Sequence, residues 1–81
     1  MPRVENDADA LQIAKDFISR FTYIEWRDHE SITYDAKTEQ WVIILRAVEV
    51  GSREEHRYEL RTAKESGKIE KFEMLYFSKR S

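Results

Sequence analysis

The sequence predicts an α+β domain, with one N-terminal helix packed across an antiparallel meander sheet of three to four strands. Three observations carry that prediction. Apolar residues between Ala10 and Phe21 recur at helical spacing, and from Thr22 onward the chain turns to β-branched and aromatic residues. The intervals between the later apolar runs are short and polar, suited to hairpins and too short for crossover helices.

Residues 1–6 read as a short, frayed polar lead-in. Asn6 and Asp7 then offer side-chain acceptors for the unpaired N–H groups of a helix start, and Asp9 adds favourable charge to the first turn. Ala10, Leu11, Ala14, Phe17, Ile18 and Phe21 form one apolar stripe on a helix of about three and a half turns, with Lys15, Asp16, Ser19 and Arg20 on its wet side.

Thr22, Tyr23, Ile24 and Trp26 favour a pleated surface, and residues 29–34 continue as a strand. Ile32 and Tyr34 fall on one face of it, Ser31 and Thr33 on the other. Asp35 to Glu39 is polar and reads as a hairpin turn, although it contains no glycine. Trp41 to Val50 is the strongest strand signal. Trp41, Ile43, Leu45 and Ala47 share one face; Val42, Ile44, Val48 and Val50 share the other, so both faces look apolar.

Residues 52–67 carry two readings. Ser52 with Glu55 makes a capping box and Gly67 could end a helix. Yet Tyr58 and Leu60 alternate with Arg57, Glu59 and Arg61, the pattern of a half-buried strand, and a helix here would be polar all round. The strand reading is preferred, with Lys64 to Gly67 as a hairpin loop. The last strand spans about Lys68 to Ser78, with Phe72, Met74 and Tyr76 on one face and Leu75 and Phe77 on the other. Ile69 is out of phase with the first set unless a bulge near Glu70 switches it. Residues 79–81 read as a frayed polar tail, and 1–81 as a single domain.

Composition narrows the functional classes. Eighty-one residues, 41% hydrophobic and 37% charged, suit one folded domain with a solvated surface and a thin stability margin. The absence of cysteine removes disulfides and thiolate metal sites, and two histidines would need carboxylates to complete a zinc site. A net charge of −2 does not advertise for nucleic acid or an anionic membrane. No apolar run reaches membrane-spanning length and the first residues lack a secretory apolar segment, so the expected location is the cytoplasm, for a whole protein or an excised domain alike.

With the order of elements in hand, a family likeness emerges. Ala10 and Ile13-Ala14 on the helix, Trp41-Val42-Ile43 on a strand, then Tyr58-Glu59-Leu60 ahead of Ser66-Gly67-Lys68-Ile69, resemble the PepSY-like domains within the cystatin-like helix-on-sheet folds. That resemblance implies an inhibitory or accessory module, although PepSY-like domains usually sit in exported or membrane-attached proteins. Trp41, Val48-Glu49, Tyr58-Glu59-Leu60, Gly67 and Lys79-Arg80 also resemble the carboxy-terminal part of the gas-vesicle accessory protein O family. Neither resemblance implies a catalytic residue.

No phosphate-cradling glycine loop, nucleophile elbow or cysteine nucleophile is present, since Gly51 and Gly67 stand alone. Asp28-His29-Glu30 and Glu54-Glu55-His56 are the available acid–base groups, and solvated charge clusters explain them better than a metal or general-base site. The chain is therefore read as a non-enzyme without cofactors. Arg53, Arg57, Arg61 and Lys64 could form a basic row beside stacking aromatics for single-stranded nucleic acid, but Glu54, Glu55, Glu59 and Glu65 interleave with them. The preferred expectation is a protein-interaction module. It would self-associate as a homodimer, or dock another protein, through an edge strand or through Val42, Ile44, Val48, Val50, Leu75 and Phe77. Those six residues would make an apolar patch if their strands are neighbours, suited to packing sheet face on sheet face.

Overall fold

A computed structural model describes residues 3–51 and 54–75. Helix α1 spans Asp7–Ser19, followed by strands β1 (Ile24–Asp35), β2 (Gln40–Glu49), β3 (Glu55–Ala63) and β4 (Ile69–Leu75). The sheet is an antiparallel meander in the order β1-β2-β3-β4, which leaves β1 and β4 at its edges. This is the helix-on-meander α+β fold that the sequence predicts, with four strands, and 55–63 is strand rather than helix.

The helix start is held as its side chains suggest. Asn6 is the N-cap, its Oδ1 accepting from the Asp9 N–H at 2.9 Å, while the Glu5 N–H donates to Asp9 Oδ2 at 3.0 Å. Ala10, Ala14 and Ile18 bury the central stripe against the sheet. The helix ends two residues before the stripe does. Arg20 caps it, and the Phe21 N–H still reaches the Ile18 carbonyl at 3.0 Å.

The core lies between α1 and the inner face of the sheet. Ile43 and Leu45 of β2 sit opposite Leu60 and Tyr58 of β3, and Leu60 sits opposite Phe72 of β4. Thr62 is the one buried polar side chain among the described residues, and its hydroxyl donates to the Lys68 carbonyl at 3.2 Å. On β4 the register slips between Arg61 and Thr62, so that Lys71 pairs with Arg61 and Ile69 with Thr62. The extra residue is Glu70. This is the bulge near Glu70 that switches Ile69 to the face of Phe72, and Ile69 packs against the core.

Two features depart from the sequence reading. The lead-in does not fray at Val4, which is fully buried: its N–H donates to the Lys64 carbonyl at 2.8 Å and its carbonyl accepts from Trp41 Nε1 at 3.1 Å. A lone valine in a polar stretch has no periodicity to announce burial. The other departure is in β1, which runs unbroken from Ile24 but slips register twice, between Trp26 and Asp28 and between His29 and Ser31. The glycine-free β1–β2 turn closes because Glu39 itself takes a left-handed conformation, at φ 56°. The expected frayed tail at 79–81 lies outside the described residues.

Candidate functional site

Helix α1 has thirteen residues, about 20 Å of length on a cylinder about 10 Å across, which is enough to cover roughly two strands of a sheet spaced at about 4.8 Å. It packs chiefly over β1 and β2. The β3–β4 half of the inner face is covered by side chains instead. Phe17 meets Phe72 edge-on at 5.1 Å, Phe21 stacks on Phe72 at 5.6 Å, and Tyr58 stacks on Phe72 at 5.0 Å. Tyr23 extends the row beyond Phe21 at 5.5 Å.

This aromatic row is only half covered. Tyr23 is 59% exposed and Met74 36%, while Phe17, Phe21, Ile69 and Phe72 are half-buried. An open groove of about 330 Å³ runs beside it, between Ile13, Phe17 and Arg20 of the helix and Gly67 to Ile69 of the β3–β4 hairpin. Edge strand β4 forms the outer border. Its bulge sits at its first turn, leaving Lys71 to Leu75 in regular register. Burial raises the Tyr58 phenol above its ordinary pKa, and the nearby Glu49 charge adds to the shift.

Among the described residues, the opposite face of the sheet does not bring the expected apolar side chains into one contiguous patch. Val42, Ile44 and Val48 do point away from the helix, but Val42 and Ile44 are half-buried and Val48 is buried. Leu75 lies on β4, with β3 intervening, and pairs with Arg57 rather than with any valine. Val50, 60% exposed, stands at the sheet's end, and Phe77 lies outside the described residues. Long charged side chains occupy the gaps. From β3, Arg57 reaches past β2 to Glu30 on β1 at 2.9 Å. Arg61 binds Glu59 at 2.6 Å and crosses to Asp35 and Gln40 at 3.2 Å each. Lys71 closes the lattice with Glu73 at 3.1 Å and Glu59 at 3.7 Å.

The expected acid–base triplets are brought together, but around a cation. Arg46 of β2 stands between β1 and β3, with Asp28 at 3.2 Å, Glu30 at 3.7 Å and Glu55 at 3.9 Å. His29 lies 3.8 Å from Asp28, and His56 lies 3.8 Å from Glu54. The His29 N–H, helped by Arg46, holds the Asp28 carboxyl below its ordinary pKa against some desolvation. Arg61, followed by the Lys37 N–H, does the same for Asp35, and Glu59 with Asp35 raises the Arg61 pKa in return. No group of three or more metal-ligating side chains converges among the described residues. Of the proposed basic row, Arg57 and Arg61 are spent on these ion pairs, Lys64 lies over the Tyr34 ring at 5.5 Å, and Arg53 is outside the described residues. No helix among the described residues is long and apolar enough to cross a membrane.

The features the sequence reading missed are the partial cover of Phe17, Phe21, Tyr23 and Phe72 and the edge position of β4. A signal existed: a helix of that length cannot shelter four strands. Comparison with protein-family models, curated proteins and solved structures returns no match for this chain.

Proposed function

We propose that this domain is a non-catalytic protein-interaction module that docks a partner along the free edge of β4 and the aromatic row behind it. One observation carries the reading. The half-covered apolar surface lies on the helix side, at Phe21, Tyr23, Phe72 and Met74, beside a strand whose outer edge has no neighbour in the sheet among the described residues. An unpaired strand edge supplies backbone donors and acceptors to an incoming strand, and adjacent apolar side chains add specificity.

The other edge supports the same choice. Two register slips in β1 twist and interrupt its outer rim, a common device for blunting an edge. The titratable clusters support a non-catalytic reading, because the carboxylates lining the open depression at Glu30, Arg46, Glu55, His56 and Arg57 are occupied with neighbouring arginines.

A photoreactive side chain at Glu70, on the β4 bulge, tests the reading. It should crosslink to protein in source cells, whereas the same group at Thr33, on β1, should not. Equal labelling from both positions, or none from Glu70, would contradict it.

A further inference from the structure

We infer that the occupant of the β4 edge is a second copy of this chain, paired antiparallel about a two-fold axis at Phe72. This rests on the docking reading above and names its partner.

The argument is one of register. A two-fold axis normal to the sheet joins β4 to its own copy with the helices on the same side, so residues that face each other must belong to the same face. On β4, Lys71, Glu73 and Leu75 lie on the outer face, and Phe72 and Met74 on the inner face. Only a few centres are then possible. An axis at Lys71 sets lysine against lysine, and an axis at Glu73 sets glutamate against glutamate. An axis at Met74 sets each Glu73 against the partner's Leu75. An axis at Phe72 sets Lys71 against the partner's Glu73 twice, and ring against ring on the inner face. Among these four centres, Lys71 to Glu73 are self-complementary only about Phe72.

The surrounding structure agrees with it. Lys71 and Glu73 already lie 3.1 Å apart on the outer face, so the pairing extends their ion pair into an alternating four-charge square. On the inner face, the half-buried Phe72 gains its counterpart's ring as apolar cover where α1 gives little, while Met74 comes opposite the bulged Glu70 of the second copy. The bulge at Glu70 limits the regular pairing about this axis to Lys71, Phe72 and Glu73. Two four-stranded sheets thereby become one eight-stranded sheet with a shared helical face.

Sedimentation equilibrium of the full chain tests this through charge reversal. The wild type should dimerise. Lys71→Glu and Glu73→Lys should each weaken the dimer by about tenfold or more, since each places like charges opposite one another twice. An equimolar mixture of the two single variants should recover dimerisation as a heterodimer, and so should the double variant K71E/E73K. Circular dichroism confirms that each variant is folded, and the double variant keeps the test decisive if a single one is not. A wild type that stays monomeric up to about 1 mM would overturn the inference, as would a dimer indifferent to both single reversals or a folded pair that fails to recover on mixing. Crosslinking from Glu70 separates the two levels: a monomer that labels other proteins removes the second copy but leaves the docking edge, and a monomer that labels nothing removes both.

Discussion

Leu60 and Thr62 are neighbours on β3, both fully buried on its inner face, and they should respond to substitution very differently. Leu60 lies between Ile43 and Phe72 at the centre of the core. Leu60→Ala removes three carbons and leaves a cavity that flanking strands cannot close, at a cost of about 2–5 kcal/mol. An 81-residue domain has roughly 4–12 kcal/mol of stability in all, so this one change uses much of it. At about 4–8 °C per kcal/mol, a loss near 3 kcal/mol lowers Tm by roughly 10–25 °C. Thr62→Val keeps the shape and removes one hydroxyl donor. Its acceptor, the Lys68 carbonyl, retains the Ala63 N–H at 2.9 Å, so no buried group is orphaned and the cost stays within about 1 kcal/mol. Urea unfolding followed by tryptophan fluorescence measures both, and the slope should not change between variants. Equal losses at the two positions, or a Leu60→Ala loss under about 1 kcal/mol, would refute this placement of the core.

Glu39→Gly should raise Tm by a few degrees, because it relieves a left-handed backbone that costs a side-chain-bearing residue about 1 kcal/mol; a lower Tm would show that the turn needs the glutamate side chain. The depressed pKa values of Asp28 and Asp35 mean that their pairing stabilises the fold above about pH 4 and is lost as pH falls through the lower folded-state values. Asp35→Asn should therefore flatten the acid limb of stability against pH, and an unchanged limb would count against the Arg61 pairing. The raised Tyr58 pKa has the opposite sign: stability is full below about pH 10 and is lost as pH rises through the higher folded value. Tyr58→Phe should move alkaline unfolding to higher pH, and coincident alkaline transitions would contradict the buried phenol.

How far the sequence spoke for the structure differs by element. The helical stripe and β2 were legible in the apolar pattern and the turn at Asp35 to Glu39 in its polar residues, while the phase of Ile69 raised a bulge near Glu70 as one option. β3 was ambiguous because Arg57, Glu59 and Arg61 are favourable in a polar helix as well as on the solvated face of a strand. The double apolar face of β2 was legible, but its cover was not. Whether Val42 and Ile44 are open depends on Arg57 and Arg61 reaching across from β3, which requires strand order and register rather than the β2 sequence. The surface proposed for docking was hidden for a related reason: Phe17, Phe21, Tyr23 and Phe72 are distant in the chain and become one row only when α1 lies off-centre on the sheet.

Amide hydrogen exchange along β4, measured over a range of protein concentrations, bears most directly on the claim that this edge is where the molecule meets its partner. Protection of Ile69–Leu75 should rise with concentration while that of β1, at the opposite edge, stays constant. Exchange in β4 that is independent of concentration, or protection that grows at β1 instead, would contradict it.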